Sequence, residues 1–269
     1  MKYALFLGCK IPAALPAYEM STRAVLGRLG VTLVDLPFNC CGNPVRSVDR
    51  EAFVVAAARN LALAGRAGLD VLTPCKCCFG SLRHAQRFLD EDPALRQRVQ
   101  AFLAEEGLSL PTTVVVEHLL PVLARGVGLD AITAAVTAPR TGLRVAAHYG
   151  CHALRPSDVT RFDHPLAPTL FEDLVRATGA TAVEWPRRLD CCGDPIHDAN
   201  APLADRLTQA KVDDARESGA EVLATACPYC HLRFTESQAG GARAPLATML
   251  YPQLLGLAMG LAPRTLGLP

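Results

Sequence analysis

The stretch Lys2-Tyr-Ala-Leu-Phe-Leu-Gly-Cys9 lies near the start of the sequence, and Arg144-Val-Ala-Ala-His-Tyr-Gly-Cys151 repeats its pattern in the second half. In the same order, Cys40-Cys-Gly-Asn-Pro44 has a counterpart in Cys191-Cys-Gly-Asp-Pro195. Each half then closes with a Cys-x-x-Cys motif. Motifs that recur in one order along most of a chain indicate a tandem duplication.

Apolar runs and helical stretches alternate in both halves. The runs are rich in β-branched residues and predict buried parallel strands at residues 31–36, 71–73, 144–148, 180–185 and 221–225. The stretches between them predict helices at about residues 16–29, 48–66, 79–89 and 202–218. The sequence therefore predicts an α/β fold of two duplicated, Rossmann-like parallel-sheet halves related by pseudo-two-fold symmetry.

A domain boundary is expected near residues 139–142, which gives a first domain of residues 1–140 and a second of residues 141–269. Residues 112–141 are predicted to be helix and linker. Residues 244–263 carry no charge, but prolines, glycines and polar residues interrupt them. A buried core helix is therefore expected there rather than a membrane span.

The bulk composition argues against several classes of protein. The net charge of the 269 residues is +1, which gives no electrostatic reason to expect nucleic acid or an anionic membrane as a partner. The first residues form too short an apolar run for a secretory signal. The eleven cysteines are odd in number and include the adjacent pairs Cys40-Cys41 and Cys191-Cys192. They suit metal ligation in a reduced cytoplasm better than disulfides.

Ten cysteines fall where strands are expected to end, and open α/β sheets bind their ligands at that edge. Five belong to each half: Cys9, Cys40, Cys41, Cys75 and Cys78 in the first, and Cys151, Cys191, Cys192, Cys227 and Cys230 in the second. Structural zinc and a cubane [4Fe–4S] cluster each need only four thiolates. Either one cysteine per half is not a ligand or the metal group is unusual, and spacing alone leaves both open. Gly42 and Gly193 follow the pairs Cys40-Cys41 and Cys191-Cys192, where glycine is expected to take a positive φ or to let the backbone approach a metal cluster.

At these residues the chain resembles the twin CCG-domain family, named for Cys-Cys-Gly, over almost its entire length. His148-Tyr-Gly-Cys-His152 is similar to the opening of the second repeat in the B subunit of heterodisulfide reductase, and Cys227-Pro-x-Cys230 is similar to its closing motif. The resemblance implies two noncubane [4Fe–4S] clusters, one in each half, held by the ten cysteines. It also implies that the clusters cleave a disulfide between them, each supplying one electron.

The resemblance further implies partners, a ferredoxin-like C subunit and a flavin-containing A subunit. The absence of a Gly-x-Gly-x-x-Gly motif after a strand agrees with a need for them. The expected substrate is a small disulfide or a protein- or cofactor-bound sulfur. Two alternatives stay open. One is an electron-relay subunit of a lactate, glycolate or succinate:quinone oxidoreductase complex, and the other is a structural zinc or scaffold protein.

Three histidines lie beside the second cysteine set. His148 is the candidate proton donor to a leaving thiolate, since histidine titrates near neutral pH. Loop packing or hydrogen bonding to cluster sulfur is the alternative for His148, as for His152 and His197. Cys77 departs from the repeat, because Tyr229 stands in its place in the second half, and it is expected to be a spare thiol.

The duplication also predicts where the two cysteine sets lie relative to each other. Both are expected to face one cleft at the junction of the halves, since binding sites favour such interfaces. Their nearest sulfurs are expected on the order of 10 Å apart, which would leave room for a disulfide. His148 is expected to line that cleft.

Overall fold

A computed structural model describes residues 1–239 and 244–269. It contains two four-stranded sheets in which all neighbouring strands are parallel. The first sheet has the order β2-β1-β3-β4, with β1 at Lys2–Leu5, β2 at Thr32–Val34, β3 at Asp70–Thr73 and β4 at Val116–His118. The second has the order β6-β5-β7-β8, with β5 at Arg144–Ala147, β6 at Thr181–Val183, β7 at Val222–Thr225 and β8 at Ala247–Leu250. The predicted α/β fold of two similar parallel-sheet halves is thus confirmed.

Helices connect the strands and cover both sheets. Those of the first half are α1 (Lys10–Ala14), α2 (Pro16–Arg28), α3 (Arg50–Arg66), α4 (Lys76–Glu91), α5 (Pro93–Glu105), α6 (Leu119–Pro121) and α7 (Leu129–Ala135). Those of the second half are α8 (Cys151–Leu154), α9 (Ser157–Thr160), α10 (Leu170–Ala177), α11 (Ala201–Glu217), α12 (Pro228–Glu236) and α13 (Tyr251–Ala258). A π-helical segment at Val122–Gly128 joins α6 to α7.

Two strands lie where the sequence predicts only helix or linker. Strand β4 falls inside residues 112–141, and its three residues are too few to show a strand pattern. Strand β8 falls inside residues 244–263 and runs directly into α13, so the expected core helix occupies only the later part of that stretch. Among the described residues, no helix is both long enough and apolar enough to cross a bilayer.

The halves exchange helices across their junction. Helix α13, which follows the last strand of the second sheet, packs against α2 of the first half. The equivalent helix of the first half, α6, packs against α10, the second-half counterpart of α2. This reciprocal packing is what a pseudo-two-fold axis between the halves requires. It also brings together the two sheet edges at which the strands end.

Candidate metal centre

The first cysteine set lies at the carboxyl ends of β1, β2 and β3. Cys9 caps α1, and Cys75 caps α4, where its Sγ accepts a hydrogen bond from the backbone N–H of Cys78 at 3.4 Å. The Sγ atoms of Cys9 and Cys40 are 3.8 Å apart. Together the five predicted cysteines of this half line one cavity, with Asn43 and Lys10 among its other walls.

The second set repeats this arrangement at the ends of β5, β6 and β7. Cys151 begins α8, and its Sγ lies 4.0 Å from that of Cys191. Cys227 caps α12, with Cys230 one turn further on. A second cavity is lined by four of the five predicted cysteines, Cys151, Cys192, Cys227 and Cys230. The fifth, Cys191, does not line the cavity, but its sulfur lies next to that of Cys151. Both predicted groups of five cysteines are therefore brought together.

Each Cys-Cys-Gly loop is fixed by its glycine. Gly42 and Gly193 have φ values of 81° and 93°, in the left-handed region that favours glycine. A Cβ at Gly42 would lie 2.7 Å from the carbonyl oxygen of Phe53 in α3, and one at Gly193 would lie 2.7 Å from that of Ala204 in α11. The expected positive φ is observed, but the close approach in each half is to the backbone of a helix. That contact holds the adjacent cysteines against the helix.

The two cavities share a wall at the junction of the halves. Cys77 and Tyr229, which occupy equivalent positions, line both of them. Burial and then a hydrogen bond with Cys227 raise the pKa of Cys75, and hydrogen bonds from Cys230 and then Cys75 lower the pKa of Cys227. The thiols of Cys75 and Cys227 thus lie within hydrogen-bonding reach of each other. The nearest sulfurs of the two sets are therefore closer together than the expected distance on the order of 10 Å. Residues that follow equivalent strands meet directly beside the pseudo-two-fold axis.

The thiols of each set compete for protons. The pKa of Cys41 is lowered to about 3, chiefly by a hydrogen bond from Cys40 and then by one from Cys78. The pKa of Cys191 is lowered to about 2 by hydrogen bonds from Cys151 and then Cys192. The same hydrogen bonds raise the pKa of Cys40 and Cys151. A cluster of this kind cannot ionise fully by itself, whereas a bound metal would release the remaining protons.

Two lysines are buried beside the second set. Lys76 is only 1% exposed, and its Nζ donates to the carbonyl oxygen of His148 at 2.9 Å. Lys211 is also 1% exposed; its Nζ donates to the carbonyl oxygen of Arg187 and lies 4.6 Å from the ring centre of Trp185. Burial lowers the pKa of each lysine to about 8, and nearby thiolates, Cys230 foremost among them for Lys76, oppose that change.

His148 is fully buried, behind the wall of the second cavity rather than in it. One of its ring nitrogens lies within 4.8 Å of the sulfurs of Cys192 and Cys230. Burial lowers its pKa well below the usual value, and Lys211 and Lys76 lower it further. Neither ring nitrogen has a hydrogen-bond partner among the described residues. His152 lines the cavity itself, and His197 is half-exposed outside it.

His118 is not among the histidines that the sequence analysis singles out. Its Nε2 lies 3.1 Å from the carbonyl oxygens of both Pro74 and Ala226, which immediately precede the two cysteines that meet at the junction. Its Nδ1 accepts a hydrogen bond from Leu120 N, which leaves the proton on Nε2. His118 thus holds the closing loops of the two halves together. Only the three-dimensional fold reveals this role, because the three segments are remote in sequence.

The donor set fits an iron–sulfur group. All eleven cysteines are free thiols, and five from each half surround one site. Iron–sulfur clusters are held by thiolates and carry negative charge that buried lysines and backbone N–H groups can balance. Among the described residues, a nitrogen donor, His148, lies beside two of the cysteines of the second site.

Known proteins share this sequence pattern. The family model for the CCG cysteine-rich domain matches twice, at residues 3–83 and 145–235. The chain is also 35% identical to the B subunit of the ferredoxin/F(420)H(2)-dependent CoB-CoM heterodisulfide reductase of Methanosarcina acetivorans, over 99% of its own length and 92% of the relative's. The chain belongs to the CCG cysteine-rich family, together with the B subunits of heterodisulfide reductases.

Other relatives of this CCG chain differ in their names. It is 34% identical to the 8-methylmenaquinol:fumarate reductase membrane anchor subunit of Wolinella succinogenes, over 99% of its own length and 95% of the relative's. A solved structure, of a hypothetical protein from Helicobacter pylori, matches with a TM-score of 0.77 and 18% identity. That match covers 99% of the CCG chain and 50% of the solved one, and it supports the fold alone.

Proposed function

We propose that this CCG protein is the iron–sulfur subunit of a heterodisulfide reductase-like complex, and that it cleaves or forms a disulfide or a bound-sulfur substrate at the junction of its halves. One observation carries the proposal: two five-cysteine sites lie side by side, and their cavities share the wall formed by Cys77 and Tyr229. Family membership and the name of the Methanosarcina acetivorans relative support the same chemistry.

Each site would hold one [4Fe–4S] cluster through its five cysteines, in a noncubane form that uses the fifth thiolate. When bound, the two clusters supply one electron each, which matches the two electrons that disulfide reduction requires. The chain's own residues provide the rest. His118 holds the two closing loops together, which keeps the two sites side by side.

Reduction of a disulfide also consumes two protons. His148 is our candidate donor at the second site because its ring lies against Cys192 and Cys230. Burial keeps the ring neutral, so it would take up a proton on one nitrogen as it releases the proton of the other. His152, in the cavity wall, is placed to hold the substrate or to resupply the proton. Electrons would come from a ferredoxin-like C subunit and a flavin-containing A subunit, with the whole complex in the cytoplasm.

A second candidate is an electron relay with no substrate chemistry. The 34% identity to the fumarate reductase subunit of Wolinella succinogenes favours it, since that relative is named for a different overall reaction. In this case the adjoining sites would pass single electrons from one half to the other.

One anaerobic experiment separates the two. The reconstituted protein is reduced and then mixed with small disulfides of differing charge. We expect the visible absorbance of the oxidised clusters to return as two thiols appear per disulfide consumed. If the reduced protein reacts with none of the disulfides but is reoxidised at once by a one-electron acceptor, the result would favour the electron-relay function.

A further inference from the structure

Two buried lysines and a buried histidine lie beside the second cysteine set. Lys76 belongs to the first half by sequence, but its side chain lines the cavity of the second set. Lys211 lies in α11 behind the Cys-Cys-Gly loop of the second set. Within the described residues, no carboxylate lies within ion-pairing distance of either lysine, and Asp190, the acidic group that acts on Lys211, is itself paired with Arg187 at 3.1 Å.

His148 is a third buried polar group beside the second set, and its ring lacks hydrogen-bond partners among the described residues. Both of its ring nitrogens are buried, and neither meets a donor or acceptor in the described part of the chain. An unsatisfied buried polar atom destabilises a fold. The sulfurs of Cys192 and Cys230 are the atoms beside it, so the natural partner for an imidazole N–H is a thiolate or cluster sulfur at this site.

The duplication provides an internal comparison for all three residues. Phe6 lies three residues before Cys9, as His148 lies three before Cys151, and it is a buried apolar ring. Pro228 follows Cys227, as Lys76 follows Cys75. Asn60 lies as far beyond Gly42 as Lys211 lies beyond Gly193, and it is a neutral amide that donates to the carbonyl oxygen of Cys40 at 3.1 Å. Each polar or charged group at the second site thus replaces a neutral or apolar one at the first.

We propose that the second site is the more oxidising of the two, because His148, Lys76 and Lys211 stabilise added negative charge there. This inference rests on the proposed function, in that both sites hold a cluster. Hydrogen bonds to sulfur and nearby positive charge favour the reduced cluster and raise its potential. Buried charges act more strongly than exposed ones, since the surrounding dielectric is lower. The first electron to enter the protein therefore comes to rest at the second site.

Two other charged residues shift the reduction potentials of the two sites in the opposite direction. Lys10 lies at the first cavity, and Asp194 at the second. Both are only partly buried, so water screens them more than it screens the two lysines that are 1% exposed. The sum of these charges therefore still gives the second site the higher reduction potential.

Separate potentials can be measured by removing one site at a time. Cys41→Ser leaves only the second site intact, and Cys192→Ser leaves only the first. After anaerobic reconstitution, redox titrations followed by electron paramagnetic resonance should give the higher midpoint potential for the Cys41→Ser protein. In that background, His148→Phe and Lys211→Asn introduce the first-half residues. Each should change the reduction equilibrium constant at least tenfold toward the oxidised form, which is 59 mV for a one-electron couple.

Iron content and the oxidised spectrum serve as controls for damage to the site. If His148→Phe loses iron, Lys211→Asn and Lys76→Met give the same test without changing the imidazole. Phe6→Leu, a matched apolar change at the first site, should leave the potential of the Cys192→Ser protein unchanged. Equal potentials in the two halves, or variants that keep their iron and their potential, would overturn the inference while leaving the proposed function intact. A chain that binds no iron and sulfide would contradict both.

Discussion

Cys77 is the cysteine without a counterpart in the repeat, yet it lies between the two sites. Hydrogen bonds with Cys227 and Cys75 raise its pKa well above the usual value, so it is a protonated thiol in the metal-free chain. We expect Cys77→Ser to retain the iron of both halves, because each keeps five other cysteines. Cys192→Ser is the matched comparison and should lose about half of the iron, since it removes a predicted ligand from one of two sites. Iron per chain, measured by mass spectrometry after anaerobic reconstitution, distinguishes the two.

Retention of all the iron in Cys192→Ser would mean that the adjacent pair does not supply two ligands. Loss of iron in Cys77→Ser would instead make Cys77 a ligand shared by the halves, and the two five-cysteine sets would have to be redefined.

His118 should make the protein sensitive to acid. Burial lowers its pKa to about 3 in the folded chain, from an ordinary value near 6.5. The unfolded chain therefore binds a proton that the folded chain excludes, and stability present above about pH 6.5 is lost as the pH falls toward 3. Between pH 6.5 and 5 this amounts to about 1–2 kcal/mol.

The measurement is urea unfolding of the loaded protein under nitrogen at both pH values. His118→Asn, which keeps a hydrogen-bond donor but does not titrate, should lose less stability over this interval than the natural protein. An equal loss in the two proteins would show that His118 is not kept neutral at the junction.

At this scale the sequence predicts the cysteines but not the residues that organise them. The ten cysteines were identifiable because duplication repeats their spacing. Lys76 was not, since it stands in a first-half motif while its side chain serves the second half. His118 was not, because its partners are the carbonyl oxygens of Pro74 and Ala226, which leave no trace in residue type.

At the scale of secondary structure, the contact between a Cys-Cys-Gly loop and its helix is the critical one. We expect Gly193→Ala to lose the iron of the second half, because a Cβ would clash with the carbonyl oxygen of Ala204 and the backbone cannot keep its φ of 93°. The first half should keep its iron. Gly27→Ala is the control: it lies within α2 with nothing near its Cβ, and it should raise stability by about 0.5–1 kcal/mol.

Iron analysis and thermal unfolding of both variants test this contact. A Gly193→Ala protein with full iron would show that the loop can bind metal without resting on α11.

Element type was largely predictable, and the exceptions have a physical reason. Strands β3, β5 and β7 are apolar runs shortly before a cysteine, and long helices such as α3 and α11 repeat in both halves. Strand β4 is short and β8 is continuous with a helix, so neither shows an alternating pattern with a turn on both sides. Both are edge strands whose place is decided by pairing with β3 and β7.

At the scale of the whole molecule, the duplication explains why two sites meet. Parallel sheets collect their ligands at one edge, and helix exchange across the pseudo-two-fold axis turns the two edges toward each other. The meeting of the sites was predictable from the repeat, but their separation was not. The contact between Cys75 and Cys227 depends on how deeply the halves pack, which neither spacing nor composition records. The boundary at residue 140 stays a prediction.

The most direct test of two iron–sulfur sites in one chain is the ratio of iron and acid-labile sulfide to protein after anaerobic reconstitution. We expect about eight iron and about eight sulfide per chain, four of each from either half. About four of each would leave one half empty. Zinc without sulfide, in a colourless protein, would contradict the assignment and leave a structural metal centre in its place.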